Sequence, residues 1–412
     1  MAKSMKRFLR ILLFTFIAVI LLFNVFIVLS GRYYLYTGIY QTYLQGRTGP
    51  GIYDLHNFPY RTLKHSSHPK SWKKSKGYNS IEPKISDMDY LKTMGTSAFL
   101  VIKGDQIVYE YYNENHSKST VSNAFSATKT VVAFLIGIAI DEGKIKSLDE
   151  KVGNYIPEFN QKGREKITIR HLLVMASGLD WEESGKNPLS ENAESYYGTD
   201  LYGLVTRQHV VAEPGKVFNY QSGNTQLLGF VIKKATGKSV SDYCREKILE
   251  PIGAESDAYW SLDKENGDEK SFCCLYATAR DFAKMGKILM YNGLVDGKRI
   301  VSEKFMREAK KPAKILTVEG WKNLRYALHF WVYYDKKSTV HYFRGLKGQY
   351  IITVPDEDLM VVRLGNQRDE NYIIPEDKMN DRRYIKRHLY QVEHSLDVFR
   401  YLQIGRDIVS KN

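Results

Sequence analysis

Cysteine is scarce in this chain, and acidic residues are almost missing from its first 85 positions. Three cysteines among 412 residues are an odd number. They cannot all pair within the chain, so no disulfide framework is implied. Cys273 and Cys274 are adjacent, and Cys244 falls in a helical pattern that suits a small buried thiol. Prolines number only 11 and glycines 30, which excludes collagen-like and low-complexity architectures. No internal repeat is visible, which argues against a solenoid. The ten histidines are scattered, with no H-E-x-x-H and no paired Cys/His spacing, and no glycine-rich loop follows a strand pattern. Neither a metal site nor a phosphate-bearing cofactor is indicated.

The net charge of +14 is unevenly spread. Residues 1–85 hold 13 Lys/Arg against only Asp54 and Glu82, whereas residues 86–412 hold 47 against 44 Asp/Glu. The body is nearly neutral and carries no basic helix or aromatic-plus-basic sheet motif, so nucleic acid is a poor partner. With 43% hydrophobic and 26% charged residues, it has the composition of a globular protein with a sizeable core.

Lys3, Lys6, Arg7 and Arg10 precede an uncharged run from Ile11 to Ser30. About 20 apolar residues cross a bilayer core. The exit, Val28-Leu29-Ser30-Gly31-Arg32, fits an A-x-A cleavage site poorly, which favours an uncleaved signal-anchor over a signal peptide. More positive charge lies before the run than just after it, where Arg32 and Arg47 stand alone, so the body is expected outside the cytoplasm, tethered to the cell membrane by one pass. Residues 1–30 read as tail and anchor, 31–85 as a basic linker or extension and 86–412 as the main domain. Within 31–85, Tyr53, Phe58–Arg61 and Trp72 are candidates for docking onto the body.

In the body, 97–102 and 106–112 read as a hairpin around Lys103-Gly104-Asp105. A helix is expected from Ala127 to Asp141, apolar on every side over Val131–Ile140 and therefore buried. Residues 144 to about 310 read as mostly helical, with clear stretches at 224–235, 240–249 and 278–292. Strand patterns return at 327–334, 339–343, 349–354 and 359–364, joined too closely for parallel crossovers. A last amphipathic helix is expected over 382–402. The sum is an α/β (α+β) domain: an antiparallel sheet covered by helices, beside a helical lobe, with a cleft between.

Ser126-Ala127-Thr128-Lys129 is an S-x-x-K motif, one of four in the chain. It alone opens a buried helix, where i and i+3 share a face and bring an amine to a hydroxyl. A desolvated lysine can serve as the base a serine needs, and a helix N-terminus favours a developing oxyanion. A serine at this place also reads as a plain helix cap with a solvated lysine, and the motif alone does not separate the two. A second constellation, Asn219-Tyr220-Gln221-Ser222-Gly223-Asn224, offers a phenol as proton shuttle, its pKa lowered by Lys129.

Together with His171–Leu179, Leu275–Phe282 and Ala235-Thr236-Gly237, these motifs resemble the serine β-lactamase-related superfamily. Its branch of class C β-lactamases, D-alanyl-D-alanine carboxypeptidases and related esterases fits over roughly residues 90–370. Within it, 220–224 and 344–350 look closest to 6-aminohexanoate-oligomer hydrolases. The resemblance implies the β-lactamase/transpeptidase-like fold, Ser126 as nucleophile, and Lys129 and Tyr220 sharing general-base and general-acid duty. It also implies an oxyanion hole from the backbone N–H groups of Ser126 and Leu346, with Gly345, Ser222, Asn224 and Arg344 lining the substrate site. Two positions depart from the pattern of β-lactamases and penicillin-binding proteins: Ser222 replaces the Asn of Tyr-x-Asn, and Phe343-Arg344-Gly345 replaces Lys-Thr-Gly. Both weaken the case for β-lactam or D-Ala-D-Ala recognition, although Arg344 or Lys347 offers a substitute anchor.

The expectation is a membrane-tethered serine hydrolase acting on a small-molecule or peptide amide or ester. The alternatives are a β-lactamase or D,D-carboxypeptidase, and a catalytically idle binding module of the same fold.

Overall fold

The computed structural model describes residues 2–334 and 338–411. Among them, ten strands build the two larger sheets: β1 (Tyr60–Leu63), β2 (Thr96–Lys103), β3 (Gln106–Tyr112), β4 (Val121–Asn123), β5 (Ala258–Ser261), β6 (Leu275–Thr278), β7 (Trp331–Tyr334), β8 (Thr339–Gly345), β9 (Gln349–Val354) and β10 (Leu359–Gly365). The helices that matter most below are α1 (Ala2–Ser30), α2 (Tyr34–Gln41), α3 (Thr128–Asp141), α4 (Ser222–Thr236), α5 (Ala279–Met290) and α6 (Leu396–Val409).

The six-stranded sheet runs β7-β8-β9-β10-β2-β3 and is antiparallel throughout. Both of its faces are covered. Ala98, Leu100 and Ile102 join the core built with α3 and α5, while Phe99 and Val101 join a second core with Val398, Tyr401 and Leu402 of α6. Double burial explains why β2 and β10 read as continuous apolar runs rather than alternating ones. Every residue of α3 from Thr128 to Ala139 is buried, which makes it the central helix. A four-stranded sheet, β1-β5-β6-β4, and a lobe of short helices with α4 at its heart complete the body. This is the expected architecture, a helix-covered antiparallel sheet beside a helical lobe.

Several local expectations fail for physical reasons. The region 144–310 is not mostly helical: β5 and β6 lie in it. A four-residue apolar run carries no period, so sequence cannot separate strand from buried helix there. The strand expected from Ala327 begins at Trp331, because His329 takes a left-handed φ of +62°. The helix expected over 382–402 is two, Arg382–His388 and α6. Glu393 (φ +65°) breaks it, and tertiary bonds fix the break: Arg344 donates to the Glu393 carbonyl, and the buried Tyr342 hydroxyl meets His394 Nδ1 at 2.6 Å. As a result Leu396 is 43% exposed, and Val398, Tyr401 and Ile404 fill the core instead. Cys273 and Cys274 are bridged to each other, and Cys244 is free and buried.

Residues 31–85 are folded onto the body rather than trailing from it. β1 pairs with β5, Arg61 forms an ion pair with the buried Glu269 at 2.6 Å, and the Trp72 indole donates to the Arg280 carbonyl. Helix α1 projects outward, exposed along nearly all its length, and is long and apolar enough to cross a membrane or to serve as a signal sequence. At its exit Ile27, Tyr34 and Leu35 pack against Ala193 and Tyr197 of the body.

Phe58 tests whether this extension belongs to the core. Its ring lies edge-on to Tyr196 at 5.3 Å and under the buried Lys270 ammonium at 4.1 Å. Phe58→Ala should destabilise the protein by about 3 kcal/mol, read by denaturant unfolding of the full chain in detergent; an unchanged midpoint would show the extension to be merely laid on the surface.

Candidate active site

The site is assembled around a strained turn. β4 ends at Asn123, whose side-chain oxygen accepts the Phe125 N–H at 2.8 Å. Phe125 adopts a φ of +46°, unfavourable for a bulky residue. The chain then passes through a 3₁₀ turn, Phe125–Ala127, into α3. Ser126 sits on that turn and does not cap the helix, since Ala127 occupies the N-cap position. Its hydroxyl is left for chemistry.

Lys129 follows one turn later, 1% exposed, with Nζ 2.9 Å from Ser126 Oγ. Nζ also meets Ser222 Oγ at 3.1 Å and the Phe272 carbonyl at 2.7 Å. An ammonium has three donors and finds three acceptors here. Burial draws its pKa down to about 8, while the negative charge of Glu183 works in the opposite direction. Deprotonated, the amine has a lone pair beside the serine hydroxyl. It can then act as a general base.

Tyr220 lies just before α4, its ring centroid 5.3 Å from Lys129 Nζ and packed against Trp331 and Tyr326. The expectation that Lys129 lowers its pKa is not met. Burial first, and then Glu183, hold the phenol well above its ordinary value; a hydrogen bond with Ser126 and the charges of Arg344 and Arg368 counter this only in part. The phenol therefore stays protonated and is suited to donate a proton.

Ser222 opens α4 and links Lys129 to a residue the sequence did not single out. Glu183 accepts the Ser222 hydroxyl at 2.6 Å on Oε1, and on Oε2 the Ser222 backbone N–H at 2.6 Å and the Trp181 indole N–H at 2.8 Å. Gln221 ties the same turn down by bonding Ser177, Leu179 and Trp181. These bonds explain why the stretch ending in Ser177-Gly178-Leu179 accompanies the Tyr220 motif in sequence.

The remaining expected residues divide. Gly345 ends β8 so close to the serine turn that a Cβ there would stand 2.1 Å from the Ala124 carbonyl oxygen, two residues before Ser126. Arg344 lies over the Trp331 ring, 3.3 Å from its centroid, and donates to Glu393 at 2.6 Å, so it is a held group rather than a free one. Phe343 turns to the other face of β8 and packs on Phe134 of α3. Asn224 is buried within α4, its amide directed at the Met175 sulfur, and takes no part in the Lys129 network.

A half-buried serine beside a buried lysine at the head of a central helix, between an antiparallel sheet and a helical lobe, has the architecture of the β-lactamase-type serine hydrolases. Residues 88–384 match the Beta-lactamase family model, and the chain belongs to that family. It is 24% identical over 309 residues to the 6-aminohexanoate-dimer hydrolase of Paenarthrobacter ureafaciens, covering 71% of this chain and 78% of that protein. Among solved structures it resembles a provisionally assigned 6-aminohexanoate-dimer hydrolase from Bacillus anthracis, with a TM-score of 0.67, 22% identity and coverage of 75% and 86% of the two chains. A family VIII carboxylesterase aligns with a TM-score of 0.58 at 19% identity, covering 74% and 96%.

The Gly345 contact gives a direct test of the strand position. Gly345→Ala forces the end of β8 away from Ala124, so reaction with a fluorophosphonate probe should slow by ~10²-fold or more while circular dichroism stays unchanged. A rate equal to wild type would separate the strand end from the reacting centre.

Proposed function

We propose that this protein is a membrane-anchored serine hydrolase, its body outside the cytoplasm, that cleaves an amide or ester through an acyl-enzyme on Ser126. The observation that carries this reading is the buried Lys129 amine, with its pKa near 8, at 2.9 Å from Ser126 Oγ. Neutral Lys129 takes the hydroxyl proton as Ser126 Oγ attacks the carbonyl carbon. The carbonyl oxygen becomes an oxyanion facing the backbone N–H groups of Ser126 and Leu346. Collapse of that intermediate breaks the bond to the leaving group. Tyr220, kept protonated by burial, donates the proton the leaving amine or alcohol needs and is resupplied from Lys129. Water then attacks the acyl-serine ester, giving up its proton to the same groups, and frees the acid and Ser126. The idle-module alternative is weakened by the cost of burying a lysine, which a binding surface does not require.

The choice of amide or ester draws on the relatives, one named for the 6-aminohexanoate dimer and another a carboxylesterase. The membrane reading draws on α1 and on the positive charges at Lys6, Arg7 and Arg10 before its apolar run.

Ser126→Ala should abolish fluorophosphonate labelling, and in the wild type the labelling rate should rise with pH through about 8 and then level, because the base is the deprotonated amine. Labelling retained at another serine would overturn the assignment.

Substrate preference follows from β8. Phe343 points into the core and Arg344 is held by Trp331 and Glu393, so neither position offers a β-lactam carboxylate a free cation. A short-chain p-nitrophenyl ester should give a higher kcat/KM than a chromogenic cephalosporin. Efficient cephalosporin turnover that falls away in Arg344→Ala would replace this reading with that of a β-lactamase.

A further inference from the structure

Lys129 has a charged neighbour outside the sequence motifs, Glu183. Glu183 reaches it through one hydroxyl: Lys129 Nζ donates to Ser222 Oγ at 3.1 Å, and Ser222 Oγ donates to Glu183 Oε1 at 2.6 Å. The second carboxylate oxygen is held by two donors that cannot reverse, the Ser222 backbone N–H and the Trp181 indole N–H. With Lys129 donating to Ser222, the serine's own hydrogen must point to Glu183, so every bond in the chain runs from ammonium toward carboxylate. Each link favours the charged form of the next.

We propose that Glu183 is a positioning residue of this site, holding Lys129 as the hydrogen-bonded ammonium at rest through Ser222 and thereby setting the pH at which the lysine becomes a base. The proposal rests on the acyl-enzyme reading above. Burial and Glu183 pull Lys129 in opposite directions, and burial is the larger influence. Glu183 is itself raised above the ordinary carboxylate range by burial, which Lys129 and the three donors counter only in part. The other titratable groups facing this pair are Tyr220, held protonated, and His329, held neutral by burial and by Lys129 with a pKa near 3. Neither titrates where the lysine does. Arg344 and Arg368 act on Tyr220 from the β8 side of the site.

Removing the charge while keeping the shape should free the amine at lower pH. In Glu183→Gln the carboxylate no longer favours the ammonium, and the new amide can donate to Ser222 Oγ, turning the serine hydrogen toward the lysine lone pair. The test is the second-order rate of fluorophosphonate labelling at Ser126, followed from pH 5 to 10 on the full chain in detergent. The acid limb should move to lower pH by about one unit, so that labelling on that limb is about tenfold faster at equal plateau. A lowered plateau with the limb unmoved would reduce Glu183 to a helix cap and overturn the proposal. If Glu183→Gln does not fold, Ser222→Ala tests the same chain by removing the linking hydroxyl: a limb displaced toward acid supports the proposal and an unmoved limb overturns it. A wild-type chain that is never labelled at Ser126 overturns the hydrolase reading and this proposal with it, an outcome distinct from a labelled enzyme whose limb ignores Glu183.

Discussion

A lysine ammonium with 1% exposure is the constraint around which this molecule is organised. Removing such a group from water costs several kcal/mol unless its donors are met. The three acceptors come from three separate parts of the chain: the turn at Ser126, the start of α4 at Ser222, and the Phe272 carbonyl ahead of β6. None is close in sequence to the other two. The helical lobe and both sheets must therefore be in place before Lys129 is satisfied, and any small displacement of one acceptor leaves a buried charge short of a partner. Reactivity and folding share this point of dependence, since the contacts that stabilise the ammonium also hold the amine beside the serine.

The acceptor ahead of β6 draws residues 31–85 into the same framework. Arg61 pairs with Glu269 and donates to Gly267, Phe58 covers Lys270, and the chain reaches Phe272 two residues later. On the other side of the site, the Asn123 N–H donates to the Ile52 carbonyl at 2.8 Å, and Asn123 in turn shapes the Phe125 turn through its side chain. The extension thus braces both the Ser126 turn and the lysine's carbonyl acceptor. At the end of α1 the chain is already packed on the body, through Ile27, Tyr34 and Leu35 against Ala193 and Tyr197.

What could be read from the sequence was what is local. Ser126 and Lys129 lie one helical turn apart, so spacing offered their contact as one of two readings and the Tyr220 motif favoured it, while the hairpin at 97–112 announced itself by turn chemistry. Long-range choices were not legible. Glu182 and Glu183 are neighbours in Trp-Glu-Glu-Ser, and nothing in the string says which turns inward. In the structure Glu182 bonds Asn187 on the surface while Glu183 meets Ser222. The direction of the Tyr220 shift was misjudged for a related reason: the proximity of a cation was inferred, but the depth of burial, which dominates, is a property of the whole fold. The long final helix failed because Glu393 and His394 are claimed by Arg344 and Tyr342, and tertiary bonds of this kind override a helical period.

The departure at Ser222 acquires a physical meaning in this light. A serine is shorter than the asparagine usual in the related enzymes, and it brings a hydroxyl that both accepts and donates. Asparagine accepts through its amide oxygen and donates through its amide nitrogen, two separate atoms, whereas a serine does both at a single oxygen. The Ser222 hydroxyl does so here, and the carboxylate of Glu183 occupies the position behind it, where it also caps α4. The positive charge of Lys129 is thus answered from within the protein, and the guanidinium of Arg344 is likewise committed to Trp331 and Glu393. With Lys129 and Arg344 both answered from within the protein, an anion beside the scissile bond gains little from either, whereas a neutral acyl group disturbs neither pairing.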